Sequence, residues 1–255
     1  MATIVDPFCD LVLVGDSLAM VLYGETNTNN ISLQTMIGHG KSVARGCSKS
    51  IVIVDMPKGT YEASAKLALK NAKKIMSETK SDAVKLEGGK KIYKIVELLT
   101  KNNIPVMGHL GLLPQSEKTF KFKGKKISER NKILKDAELL QSAGAFSIVL
   151  ECVETSLSKM VTKKISIPTI GIGASNNCDG QILVLDDLIG LNPIKVRFVK
   201  KYSNIRKEIT EAVTKQLDTL DYAQPFQQGF GGSFELASRI AKHTPGDLNK
   251  MFFTI

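Results

Sequence analysis

Carboxylates stand at the ends of several short apolar runs in this chain. Asp16, with Ser17 beside it, comes just past Leu11–Val14. Asp55 follows Ile51–Val54, Glu87 follows Ala83–Leu86, and Glu151 follows Ser147–Leu150. Each has an ordinary explanation alone, as a helix cap or half of a surface ion pair. Together they ask for another. Asp16, Asp55 and Glu87 come from successive runs, and three negative charges in one cleft repel one another unless a cation sits among them. Oxygen ligands, without thiolates or paired imidazoles, point to Mg²⁺ rather than zinc. Such an ion can hold a 2-oxo acid and polarise its carbonyl, so that the adjacent C–H becomes acidic. Lys85 lies two residues before Glu87 and points the same way along a strand, where it balances a bound carboxylate. Glu151, from a run further round, is placed to take the proton. His109, two residues past Ile104–Met107, reads equally as a hydrogen-bonding scaffold or as a catalytic group.

These residues need a frame that brings run ends together. The apolar runs, with Ile167–Ile170 and Ile182–Leu185 added, are nearly continuous, as in a parallel sheet covered on both faces. Helix-like stretches alternate with them at Tyr61–Thr79, Lys90–Asn102, Ile127–Ala143 and Glu154–Lys164. A (β/α)₈ barrel or a doubly wound sheet would satisfy the repeat. Polar or small residues close many different strands, as at a barrel's catalytic mouth, whereas a doubly wound sheet gathers its site at one switch point. Gly171-Ile-Gly173-Ala-Ser-Asn lacks the third glycine of a dinucleotide loop. The expectation is a barrel over residues 1–217. Ala2–Val5 looks strand-like, but only Asp6–Asp10 separates it from Leu11. That is too short for a parallel crossover, so the first βα unit is expected to be missing or cut.

Composition narrows the function classes. The chain has 255 residues, 43% of them hydrophobic and 24% charged, as in a folded globular protein. No apolar run approaches the roughly 18 residues of a membrane span, and no secretory signal opens the sequence, so a cytoplasmic protein is expected. Lys and Arg number 35 against 25 Asp and Glu, a net +10. The lysines are scattered along helical stretches without interleaved aromatics, which favours a solvated surface over nucleic-acid binding. Cys9, Cys47, Cys152 and Cys178 show no zinc spacing and read as reduced thiols.

Several motifs carry a family resemblance. Val14-Gly-Asp-Ser-Leu18, Val43-Ala-Arg-Gly46, Val84-Lys-Leu-Glu-Gly-Gly89, Gly108-His-Leu-Gly111 with Pro114-Gln-Ser116, and Leu150-Glu-Cys152 are the first of them. Ile170-Gly-Ile-Gly-Ala174 with Asp179-Gly-Gln-Ile-Leu183, and Val196-Arg-Phe-Val-Lys-Lys-Tyr202, complete the set. In this order, over about residues 9–215, the chain resembles ketopantoate hydroxymethyltransferase. The resemblance implies a (β/α)₈ TIM barrel of the phosphoenolpyruvate/pyruvate type. It also implies Mg²⁺-assisted transfer of a hydroxymethyl group from methylenetetrahydrofolate to 3-methyl-2-oxobutanoate, giving 2-dehydropantoate for pantothenate synthesis. Carried over by motif, Asp16 and Asp55 bind Mg²⁺ with Glu87 as third metal-site carboxylate. Asp16, Ser17, Asp55 and Lys85 hold the oxo acid, His109 lies near it, and Glu151 is the proton acceptor. A homo-oligomer, commonly a decamer in the family, is implied, and a loop near the substrate survives as Phe122-Lys-Gly-Lys125.

The chain departs from the family at its two ends. The strand and helix that normally precede Val14-Gly-Asp-Ser are replaced by Met1–Asp10. The tail, 218–255, resembles an early segment of class III aminotransferases through Leu220–Gln227, Phe234–Ala241 and Pro245–Thr254. No pyridoxal-phosphate loop or Schiff-base lysine region follows, so no aminotransferase activity is inferred. Fusion or truncation of a reading frame explains the tail, because some 35 residues cannot build a core; a docked helix near Phe234–Lys242 is the alternative. Two other readings compete with the transferase: a related Mg²⁺-dependent 2-oxo-acid lyase or mutase, which would carry a reactive loop cysteine, and a catalytically inactive barrel.

Overall fold

In the computed structural model, which describes residues 1–117 and 121–219, the apolar runs become parallel strands. They are β1 (Leu11–Val14), β2 (Ile51–Asp55), β3 (Ala83–Glu87), β4 (Val106–Gly111), β5 (Ser147–Glu151), β6 (Thr169–Ile172) and β7 (Gly180–Gln181). They pair in chain order in one sheet. Among the described residues β1 pairs only with β2 and β7 only with β6, so the sheet is an incomplete TIM barrel. The helices are α1 (Ala2–Val5), α2 (Leu18–Val21), α3 (Leu33–Gly46), α4 (Ala65–Thr79), α5 (Tyr93–Lys101), α6 (Ile127–Ser142), α7 (Thr155–Lys164), α8 (Leu185–Leu188) and α9 (Ile205–Thr219).

Side-chain alternation sorts each strand into two faces. Val52, Val54, Val84, Leu86, Val106, Leu110, Ile148 and Leu150 pack outward against the helices in the larger core. Ile53, Ala83, Met107, Val149 and Ile170 fill the barrel interior, with Leu11 and Leu13 beside them. Two residues on from an interior position the chain points inward again. Ile53 therefore leads to Asp55, Ala83 to Lys85 and Glu87, Met107 to His109, and Val149 to Glu151. The barrel's interior column ends in its charged groups.

Several boundaries differ from the sequence expectation. Ala2–Val5 is helical, and a 3₁₀ turn over Asp6–Phe8 carries the chain into β1. The Asp6 carboxylate fixes this entry by accepting N–H bonds from Ser48 (2.9 Å) and Ser50 (2.8 Å), which hold its pKa far below the usual range. β4 starts two residues later than Ile104–Met107 because Pro105 supplies a carbonyl, to Val84 N–H, but has no N–H of its own. β6 is likewise shifted from Ile167–Ile170 to Thr169–Ile172. Ile182–Leu185 is not a strand: Ile182 N–H still reaches the Gly171 carbonyl, and then α8 begins at Leu185.

Helix α4 begins at Ala65, where the Ser64 hydroxyl accepts from Leu67 N–H (3.1 Å), and Tyr61 is left in the preceding loop. Helix α3 carried no expectation. Ser32 caps it by accepting from Thr35 N–H (3.0 Å), and Gly40 lets it approach α4, since a Cβ there would lie 2.8 Å from the Thr79 methyl. The aminotransferase-like stretch 220–254 lies outside the described residues.

Candidate active site

All the strand-end residues singled out above meet at one mouth. Strand register sets Asp55 beside Lys85, Glu87 beside His109, and Gly111 beside Glu151. The Lys85 ammonium lies 2.5 Å from Asp55 Oδ1, and both side chains are buried. The other oxygen of Asp55 accepts the backbone N–H of Asp16 (3.0 Å). Asp16 and Asp55 are thereby locked together at the ends of β1 and β2. Ser17 belongs to the same corner: a Cβ built on Gly15 would lie 3.2 Å from its hydroxyl and 3.6 Å from Asp55 Oδ2.

On the other side of the mouth, His109 stands between two carboxylates. Its Nδ1 is 3.4 Å from Glu87 Oε1 and its Nε2 is 3.3 Å from Glu151 Oε2. Neither ring nitrogen has a hydrogen bond of good geometry, so these are charge contacts. Burial opposes a charge on His109, but Glu87 and then Glu151 outweigh it and push the pKa up to about 9. His109 is therefore an imidazolium at neutral pH. In turn it holds Glu87 below the usual carboxylate range despite burial. The Glu151 side chain is 14% exposed, against 3% for Asp55 and Glu87, and is the carboxylate that reaches toward solvent.

Asp16 is the anomaly. Burial first, and then the charge of Asp55, raise its pKa to about 7. Lys85 behaves in the opposite sense: burial disfavours its charge, but Asp55, Glu87 and Asp16 hold it above the usual lysine value. Fully ionised, the mouth would carry four carboxylates against Lys85 and His109, a net −2 that a divalent cation would neutralise. The donor set would suit a hard cation held by the Asp16 and Asp55 carboxylates. Among the described residues no group of three acidic, His or Cys side chains closes on one point. Glu87 in particular is turned aside: one oxygen faces His109 and the other accepts Gln115 N–H (3.1 Å).

Two buried residues outside the strand-end set join the site. The Gln115 side chain donates to Asp16 Oδ2 (2.8 Å) and to the Met56 carbonyl (3.0 Å). Tyr61 donates its hydroxyl to Gln115 Oε1 (2.6 Å) and accepts Glu87 N–H (3.2 Å). The quoted motif Pro114-Gln-Ser116 contains Gln115, but no spacing rule marks it. Its partner Asp16 is 99 residues away, and Tyr61 lies in what reads as a helix start.

Cys152, next to Glu151, takes a left-handed conformation at φ 49° and is buried. Its carbonyl accepts Lys123 N–H (2.8 Å), while the Lys123 carbonyl accepts Glu154 N–H (2.9 Å). The segment around Phe122–Lys125 is thus laid along the chain that leaves β5. Burial pushes the Cys152 thiol up to about 12, so it is a neutral packing group.

A family model described as ketopantoate hydroxymethyltransferase matches residues 1–224. This chain belongs to that family. A 3-methyl-2-oxobutanoate hydroxymethyltransferase of Pelagibacter ubique is 63% identical over 215 residues, covering 84% of this chain and 83% of the relative. The enzyme of the same name from Rhizobium etli is 49% identical over 217 residues, covering 84% and 80%. A crystal structure of a putative phosphonomutase from Burkholderia cenocepacia aligns with a TM-score of 0.53 at 12% identity, covering 84% of this chain and 88% of that one. A putative lyase/mutase from the same organism also reaches 0.53, at 10% identity, covering 96% of this chain and 87% of that one. Identities this low speak for the barrel architecture alone.

Proposed function

We propose that this chain transfers a hydroxymethyl group from 5,10-methylenetetrahydrofolate to 3-methyl-2-oxobutanoate, yielding 2-dehydropantoate and tetrahydrofolate with uptake of one water. Relatives of high identity that carry this enzyme's name support the activity. The observation that carries the site assignment is the division of the mouth into two charged groups on one barrel rim. One is Asp16–Asp55–Lys85, suited to a cation and an oxo acid; the other is Glu151–His109, suited to moving a proton.

In this reading Asp16 and Asp55 hold Mg²⁺, and Glu87 stands one step away. A divalent ion held by these two carboxylates would supply polarisation of the keto group, which makes the C3–H acidic. Lys85 and the Ser17 hydroxyl face the anionic end of the substrate. Glu151, the most exposed of these acids, removes the C3 proton onto its carboxylate. His109 lies 3.3 Å from that carboxylate and holds it in position. The carbon freed of its proton then bonds to the one-carbon unit, whose two C–N bonds to the folate break; one water supplies the hydroxyl oxygen, its two hydrogens go to the folate nitrogens, and the C3 proton ends on the new hydroxyl. A thiol-dependent lyase reaction has little support, since Cys152, the cysteine beside the site, is buried and neutral.

A homo-oligomer and a cytoplasmic location belong to the same reading. Phe8, 86% exposed, and Ile4, 63% exposed, are apolar surface that a second copy would cover. The test of the activity is product formation from the two substrates with Mg²⁺. The wild-type chain forms 2-dehydropantoate, and Glu151→Gln lowers kcat by about 10²–10⁴-fold with little change in the KM for folate. Wild-type turnover in Glu151→Gln would remove Glu151 from its role.

A further inference from the structure

Gln115 is fixed before it reaches the site. Pro114 occupies the second position of a four-residue turn closed by Ser116 N–H on the Leu113 carbonyl (2.9 Å), which places Gln115 third. From there the residue is 2% exposed, and its side-chain amide has three partners of defined polarity. Oε1 accepts the Tyr61 hydroxyl (2.6 Å). Nε2 donates to Asp16 Oδ2 (2.8 Å) and to the Met56 carbonyl (3.0 Å). The Met56 carbonyl is an acceptor only, and so is an ionised carboxylate; an amide flipped end for end would set its oxygen against both. Tyr61 accepts Glu87 N–H and sets its one hydroxyl proton on Oε1 at 2.6 Å, the nearer of its two acceptors, the Glu87 carbonyl being 3.3 Å away; this adds to the preference for the present orientation. Gln115 also presents its backbone N–H to Glu87 Oε2 (3.1 Å). One residue therefore grips Asp16 and Glu87, carboxylates from different strands, with donors whose direction Tyr61 sets.

We infer that Gln115, oriented by Tyr61, is a positioning residue for the cation site: it holds Oδ2 of Asp16 and would leave Oδ1 available to a bound cation. No hydrogen bond from the described residues satisfies Oδ1. The inference rests on the proposed Mg²⁺ reading of Asp16 and Asp55, and the experiment separates the two.

The probe is Mg²⁺ alone, titrated calorimetrically into the folded full chain without substrates. Asp16→Asn tests the metal reading and should abolish measurable binding. Gln115→Met keeps the volume and the backbone N–H but removes both side-chain donors, and should weaken Mg²⁺ by about 10–100-fold, the range for lost outer-sphere partners. Tyr61→Phe removes the donor to Oε1, loosens the amide and should weaken Mg²⁺ in the same direction, by about threefold to tenfold. The KM for folate should stay within about twofold while kcat at limiting Mg²⁺ falls. Loss of binding in Asp16→Asn together with wild-type affinity in both Gln115→Met and Tyr61→Phe would overturn the inference and leave the metal reading standing. Wild-type binding in Asp16→Asn would overturn the metal reading and this inference with it. Should Gln115→Met fail to fold, as judged by circular dichroism, Tyr61→Phe decides: weakened binding supports the inference and unchanged binding refutes it.

Discussion

Asp16 places a carboxylate where burial and Asp55 raise its pKa to about 7. An acid whose folded pKa lies above its unfolded value of 3.8 binds its proton more tightly in the native state. Its contribution therefore favours the native state at low pH and is lost as pH rises from about 4 through 7. A cation held by Asp16 and Asp55, as proposed, would reverse this loss. Mg²⁺ should raise the thermal midpoint more at pH 8 than at pH 5, by at least about 4 °C, and the difference should vanish in Asp16→Asn. Equal stabilisation at the two pH values would contradict the assignment. At this scale the strand-end acids were legible in the sequence, because period-two alternation carries an interior apolar residue to the acid two positions on, as from Ile53 to Asp55. Whether three acids converge was not legible. Glu87 follows its strand as expected, but His109 and the Gln115 N–H claim its two oxygens. Gln115 and Tyr61 left no local signal, since their roles depend on contacts 54 and 99 residues apart.

At the scale of elements, Gly111 shows how closely β4 and β5 are fitted at the mouth. It has φ 98°, and a Cβ there would lie 2.2 Å from the Glu151 carbonyl oxygen. Gly111→Ala should therefore cost about 2–4 kcal/mol in a urea unfolding experiment, from the positive φ and the backbone clash together. It should also lower kcat, because the backbone displaced is that of Glu151; a neutral substitution would show that the strand ends have room to spare. The strand-helix alternation itself was readable from apolar runs and their spacing. The misses have local causes. Pro105 delays β4, and Asp6 with Pro7 holds the opening residues in helical turns where β-branched composition suggested a strand. Helix α3 was hidden by its own packing. Gly38 and Gly40 dilute its helical signal, yet Gly40 is what lets it lie against Thr79 of α4.

For the whole molecule, the parallel strands form an open barrel whose outer members β1 and β7 each have one partner among the described residues. The site does not depend on pairing between those edges. Asp55, Lys85, Glu87, His109 and Glu151 sit on β2 to β5, and Asp16 is tied to Asp55 by its own N–H. Barrel rather than doubly wound topology was legible because polar residues close many strands, whereas the open edge was visible only as a crossover too short to exist. The net charge of +10 adds a long-range attraction for anions, among them the two substrates of the proposed reaction. The claim that joins these scales is that one rim both binds the cation and removes a proton. Exchange of the C3 hydrogen of 3-methyl-2-oxobutanoate in D₂O, followed by NMR without folate, isolates that half-reaction. The account predicts exchange that requires Mg²⁺, is lost in Asp16→Asn, and falls by about 10²-fold or more in Glu151→Gln. Exchange equally fast without Mg²⁺ or without the Glu151 carboxylate, or no exchange from the folded wild-type chain, would contradict it.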